Sequence, residues 1–189
     1  MVSELRERIL NAAIDEFEKK GLKFTMDDIA KNLSISKKTL YQVYDTKEAM
    51  LLALADYSFA YIKRAERAIV EDDSLDVVTK IERILVVLPE RYQNIGLQNL
   101  YQLQEKYPNI YTKVSSYLST DWDATISLLE QAKAEGKIKD ISIPVLKTMV
   151  ESTIQSFMAE DVLVEHNISY DEAMQEMIHI ILNGIKAAN

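Results

Sequence analysis

Cysteine is absent from this 189-residue sequence, and glycine (4) and proline (3) are scarce. Without thiols there is no disulfide staple, zinc finger, iron–sulfur ligand or thiol nucleophile, and the chain suits a reducing compartment. So few glycines argue against a glycine-rich phosphate loop and the nucleotide-binding folds built on one. A chain this poor in turn-formers, 48% hydrophobic and 28% charged, reads as all-α. Histidine is nearly missing too. His166 and His179 stand thirteen apart, with no i,i+4 partner and no spaced carboxylate, so zincin-type metal binding has no support. Long apolar runs are also lacking: the longest, Met50 to Ala55, has six residues against the ~20 that span a bilayer. Glu4, Arg6, Glu7 and Arg8 interrupt any secretory apolar stretch. The expectation is a cytoplasmic protein with no membrane association, no metal and no cofactor.

The net charge is −8, yet residues 1–50 carry nine basic and nine acidic side chains, so all of the excess acidity follows residue 50. Within 31–47, Lys31, Lys37, Lys38 and Lys47 stand against Asp45 alone. A basic patch on an acidic body suits a local DNA-binding module, because phosphates respond to the field within about 10 Å. A solvated, lysine-rich helix face produces the same pattern.

Apolar spacing predicts about nine helices. Leu5, Ile9, Ala13 and Phe17 stripe a first helix over 4–20, ended by Gly21. Thr25 caps a second, 26–33, that buries Ile29, Ala30 and Leu33; Ser36 caps a third, 37–44, with Leu40 inward. A long fourth runs from Lys47 towards Val70, and a fifth over 75–94 is expected to kink or end early at Pro89. Gly96 and Pro108 bracket a short sixth, Asn109 caps a seventh reaching Glu135, and Gly136 stops it. Pro144 opens an eighth to about Glu165, and Ser169 caps a ninth over 170–187. The expected division is a DNA-binding unit at 1–46 and a helical effector-binding and dimerisation unit at 47–189.

Two short helices joined by a tight turn, the second with an outward polar face, form the helix-turn-helix pattern. Leu40 faces in and Ile35 fills the turn, leaving Lys37, Lys38, Thr39, Tyr41 and Gln42 to face a duplex. Lysines and hydroxyls reach phosphates, and Gln42 suits an adenine edge. The run from Phe24 to Leu52 resembles the N-terminal signature of the tetracycline-repressor (TetR) family at Thr25, Ile29-Ala30, Ser36, Thr39-Leu40-Tyr41, Tyr44 and Lys47. The resemblance covers residues 5–55 and implies a homodimeric transcriptional regulator, a repressor released from a palindromic operator by a small molecule. It implies phosphate contacts at Thr25, Thr39, Tyr41 and Lys47, with Lys37, Lys38 and Gln42 nearest the bases. Two positions depart from the family pattern. Ser34 replaces the usual turn glycine, so a different turn shape is expected, and Val43 stands where a ring-bearing residue is common. Tyr44 reads as core against the first helix.

In the acidic remainder, the eighth and ninth helices carry apolar stripes wider than one packing partner needs. Across a two-fold axis they would make a four-helix bundle, with Ile154, Met158, Met174, Ile178, Ile181, Leu182 and Ile185 in the seam and Gly184 allowing close approach. Burial within one chain is the competing explanation. Ten tyrosines and one tryptophan suit a pocket for a hydrophobic or aromatic effector. Tyr61, Tyr92, Tyr101, Trp122 and Phe157 are the candidates, because their helices line the family's cavity. The carboxylate pairs Asp72-Asp73 and Asp121/Asp123 read as solvated caps rather than acid–base machinery, so no enzyme is expected. An all-α enzyme or a dimeric helical adaptor without DNA binding remains the alternative at this stage.

Overall fold

A computed structural model of the chain describes residues 2–87, 97–159 and 162–186. Eleven α-helices appear among them: α1 Val2–Lys20, α2 Met26–Asn32, α3 Lys37–Tyr41, α4 Lys47–Glu71, α5 Val77–Leu85, α6 Leu97–Lys106, α7 Pro108–Ser119, α8 Asp123–Ala134, α9 Ile143–Ala159, α10 Val162–Glu165 and α11 Tyr170–Ile185. The all-α reading holds. A 3-10 turn, Gly21–Lys23, joins α1 to α2, and Gly21 sits at φ +56, the left-handed geometry that ends a helix cheaply only at glycine.

The predicted caps hold at three places. Thr25 and Asp28 make a reciprocal capping box, Ser36 accepts the Thr39 N–H, and Ser169 pairs likewise with Glu172. Several boundaries differ. The third helix stops at Tyr41 rather than at 44, with Gln42 as its C-cap. The fifth helix is only Val77–Leu85, capped by Asp76, whose carboxylate accepts two backbone N–H groups; Pro89 and Gly96 lie outside the described residues. Asn109 is not a cap: Pro108 occupies the first turn after Tyr107, where its missing N–H is harmless, and the Asn109 side chain reaches Glu48. The predicted seventh helix breaks into α7 and α8 at Asp121, which takes φ +61. The predicted eighth divides into α9 and α10.

Two apolar cores result. The first joins Ile9, Ala13 and Phe17 of α1 to Ile29, Leu40, Tyr44 and the start of α4, and takes in Leu103 of α6 and Ile110 of α7. Tyr44 is core as expected, with the Arg6 guanidinium over its ring. The second core packs α5, α8, α9 and α11 around Ile81, Leu129, Val150, Ile178 and Leu182. Helix α4 contributes to both cores; 25 residues make it about 38 Å long. An antiparallel bridge between Ile138 and Lys186 ties the end of α11 to the segment after α8.

Within the chain, Gly184 faces open space. Nothing lies within 4 Å of the position its Cβ would take.

Candidate nucleic-acid interface and internal cavity

The turn between α2 and α3 closes with the Ser34 N–H on the Lys31 carbonyl (3.1 Å) and the Ile35 N–H on the Ala30 carbonyl (3.0 Å). This is the two-bond helix stop that glycine ordinarily serves, and Ser34 adopts it at φ +55. The expectation of a different turn shape is therefore corrected: the shape is kept and the serine bears the strain. Ser34→Gly should relieve it, raising stability by up to about 1 kcal/mol after glycine's unfolded-state entropy is subtracted, as chemical denaturation would register. An unchanged or lower midpoint would mean that the strain is offset elsewhere.

On α3 the geometry matches an outward polar face over a buried anchor. Leu40 is inaccessible to solvent; Lys37, Lys38, Tyr41 (47% exposed) and Gln42 are exposed, and Thr39 is half-buried with its hydroxyl 2.8 Å from Ser36 Oγ. Lys37 is ion-paired with Asp27 of α2, whereas Lys38 has no ion pair among the described residues. Val43 is half-buried and packs against the first core.

Two of the expected phosphate contacts also have partners within the module. Thr25 Oγ1 donates to Asp28 Oδ2 (2.8 Å) and accepts from the Asp28 N–H (3.2 Å), so its hydroxyl proton is already placed. Lys20 and this Thr25 box hold the Asp28 carboxyl well below its ordinary pKa. Lys47 Nζ donates to the carbonyls of Leu22 (2.7 Å) and Phe24 (2.5 Å) and sits 4.1 Å from the Phe24 ring centroid. One N–H of that ammonium is left over. Burial, reinforced by the like charge of Lys106, lowers the Lys47 pKa. Both side chains position the module: one starts α2 and the other staples the start of α4 to the segment before it. Glu16 adds a tie between α1 and α2, accepting from Asn32 Nδ2 at 3.1 Å.

Between the two cores lies a cavity of about 330 Å³. It runs from Ile14, Phe17 and Leu51 at the first core to Tyr170 and Met174 at the start of α11. Its α4 wall is Leu51, Ala55, Ser58, Ile62 and Glu66, one helical face. Phe59, also on α4, stacks on Tyr117 of α7 with centroids 4.1 Å apart and planes 6° apart. The Tyr117 hydroxyl donates to Asp56, which also accepts from Lys113. At the polar end, Lys63 donates to Glu66 and to the Asp121 carbonyl. Burial raises the Glu66 pKa against the pull of Lys63, and burial pushes the Tyr170 hydroxyl up to about 12.

Of the five residues predicted for this cavity, Trp122 lines it. Tyr61 does not. It lies exposed on α4 outside the lining, with Arg64 over its ring. Phe157 packs between the second core and α10. Tyr92 is outside the described residues, and so is the side chain of Tyr101. The reading from residue type missed Phe59, Tyr117 and Tyr170. The signal for the first was available, since the helical series 51, 55, 58, 62 and 66 places Phe59 on the inward side of α4 and leaves Tyr61 off it.

The predicted dimer seam is likewise half inside the chain. Ile154, Met174, Ile178 and Leu182 are buried in the second core, Ile181 and Ile185 are half-buried, and the Met158 side chain is not described. The apolar residues left outward on these helices are Val145 and Met149 of α9 and Ile180 of α11, at 57, 53 and 62% exposure. Val164 and Ile168, at 39 and 40% exposure, are also left outward. His179 is an exposed partner of Asn183, and no group of three His, Asp or Glu suited to a metal ion occurs among the described residues. Nor does any helix among them have the length and apolarity to cross a membrane. Asp72 serves its own turn, accepting from the Ser74 N–H and hydroxyl.

Residues 9–54 match the family of bacterial regulatory proteins, tetR family. Over 181 residues the chain is 26% identical to YvaF, an uncharacterised helix-turn-helix-type transcriptional regulator of Bacillus subtilis, covering 96% of this chain and 95% of that protein. A transcriptional regulator from Cytophaga hutchinsonii shares the fold with a TM-score of 0.73 at 18% identity, over 96% of this chain and 98% of its own. FadR of Bacillus subtilis, solved with stearoyl-CoA, does so with a TM-score of 0.65 at 17% identity, over 95% and 98%. The N-terminal match, the relative that spans nearly the whole chain and the shared fold agree with the capped helix-turn-helix: residues 9–54 carry the tetR-family DNA-binding pattern, in a chain that is similar along nearly its whole length to transcriptional regulators.

Proposed function

We propose that this regulator is a cytoplasmic, homodimeric repressor that holds a palindromic operator through residues 1–46 and is released when a small hydrophobic or aromatic effector enters the body formed by 47–189. The observation that carries this reading is the cavity, because its floor is made by Ile14 and Phe17, which belong to the DNA-binding module. Phe17 meets Phe24 edge-on, with centroids 6.3 Å apart. Phe24 lies under the Lys47 ammonium, which grips the carbonyls of Leu22 and Phe24 just ahead of the α2 cap. A molecule that displaces Phe17 or rotates α4 therefore acts on the segment that aims α2 and α3. Two recognition helices must sit about 34–36 Å apart to enter successive major grooves, so a few ångströms of rotation is enough to lose one. The apolar lining, and the fatty acyl thioester held by the FadR relative, support a hydrophobic ligand.

Lys38, Lys37, Thr39, Tyr41 and Gln42 make the DNA contacts in this reading, with Thr25 and Lys47 positioning them. Linkage limits the effector: it releases DNA only as far as it prefers the free dimer, typically by a coupling of ~1–3 kcal/mol. Selection of bound sequences from random DNA by the purified protein tests the core of the proposal. Recovery of a palindrome bound more tightly than random DNA at physiological salt is expected, and its absence defeats the repressor reading. Phe17→Leu should keep operator affinity and effector affinity while reducing the effect of one on the other. Unchanged coupling in that variant would move the transmission path away from Phe17.

A further inference from the structure

Hydrogen-bond donors and acceptors are unevenly committed inside the cavity. The Lys63 ammonium has three N–H groups and three acceptors around it: Glu66 Oε2 at 2.6 Å, the Asp121 carbonyl at 2.8 Å and Asp121 Oδ2 at 3.5 Å. Two of these are hydrogen bonds and the third is an ion-pair contact, so the Lys63 charge is already shared among oxygens of the chain. The acceptors are not used up. Glu66 Oε1 has no partner among the described residues, although the Glu66 side chain is only 15% exposed. Charge points the same way. Among the described lining residues, Lys63 is set against Glu66, Asp121 and Asp171. The rest of the wall is largely apolar, with the rings of Phe59, Tyr117, Trp122 and Tyr170, and aromatic faces attract cations. An incoming anion would meet three carboxylates, with Lys63 already ion-paired and only uncharged donors such as the Tyr170 and Thr125 hydroxyls to receive it. A neutral apolar ligand would strip water from Glu66 and give it nothing in return.

We propose that the effector is a hydrophobic amine, protonated at neutral pH, whose ammonium donates to Glu66 Oε1 while its apolar body lies along the cavity towards Phe17. The inference rests on reading this cavity as the effector site. It is tested on the free, full-length protein with three probes of matched size: 4-phenylbutylamine, 4-phenylbutan-1-ol and 4-phenylbutanoate. Calorimetry, with Trp122 fluorescence as a second signal, should find the amine bound at least tenfold more tightly than the alcohol, and the carboxylate weakest. Glu66→Gln, which keeps the size and one acceptor for Lys63, should bring the amine down to the alcohol while the alcohol's affinity stays within about twofold. A carboxylate that binds as tightly as the amine overturns the proposal. So does a failure of all three to bind, or an amine-to-alcohol ratio untouched by Glu66→Gln. If the amine preference holds while operator affinity is unmoved, the ligand assignment stands and only the coupling to DNA fails.

Discussion

Replacing Lys38 with glutamate is expected to weaken operator binding on the order of 100-fold at physiological salt and to flatten its salt dependence. Each lysine that neutralises a phosphate releases roughly one counterion, so a dimer loses two such contacts with one substitution, and log affinity against log salt should become shallower by about two. Lys38 is chosen because it is exposed on α3 and has no ion pair among the described residues. Lys37 must give up Asp27 before it can hold a phosphate, so Lys37→Ala should cost less than Lys38→Ala. Random DNA should be weakened alongside the operator, because a phosphate contact carries no sequence information. Gln42→Ala should do the reverse, relaxing preference at one base position in each half-site with a smaller change in overall affinity. Fluorescence anisotropy across a salt series reads both. A Lys38→Glu variant with wild-type affinity and slope would mean that α3 does not face the duplex.

The α3 face was legible because its determinants are local. A cap at Ser36, an anchor at Leu40 and polar residues on the remaining positions specify which way a five-residue helix points, and the family signature runs through the same residues. Residue type taken without its partners says less. Thr25 and Lys47 read as phosphate contacts in the sequence, and residue type alone does not show their partners in the chain, Asp28 for one and two backbone carbonyls for the other. Asp28 is three residues from Thr25 and its capping role can be read locally; Leu22 and Phe24 meet Lys47 only because the 3-10 turn folds back on the start of α4. Tyr61 is a different case. Its aromaticity matched a pocket, but helical phase is the stronger constraint, and two residues along a helix amount to a rotation of about 200°. The broken seventh helix hid because Thr120-Asp121 carries neither glycine nor proline, and the positive φ at Asp121 goes with a carbonyl that accepts from Lys63 of α4, 58 residues away.

Helical phase also decides the last expectation, that Ile180→Glu and Ile178→Glu separate two states that would otherwise be confused. Along α11, Met174, Ile178 and Leu182 follow one face into the chain's own core, while Ile180 stands 62% exposed on the other, beside half-buried Met177 and Ile181. The apolar stripe is wide because it serves two sides, and the seam residues predicted from breadth alone fall largely on the inner one. If the outer side, with Val145 and Met149 of α9, packs against its two-fold copy, every residue there is used twice, and Ile180→Glu brings in two carboxylates while removing two buried isoleucines. Each lost isoleucine forfeits about 1.5–3 kcal/mol of burial, so dimer dissociation should rise on the order of 100-fold or more with the monomer's helicity intact. Ile178→Glu puts an unpaired carboxylate at a site with 1% exposure and should cost roughly 3–5 kcal/mol of fold stability before any question of dimerisation arises. Sedimentation velocity and thermal melts distinguish the two: Ile180→Glu should sediment as a folded monomer and bind the palindrome no better than a half-site, and Ile178→Glu should melt early. An undisturbed dimer in Ile180→Glu, or a monomeric wild type at micromolar concentration, would remove the outer face of α9 and α11 as the interface and with it the spacing argument for release.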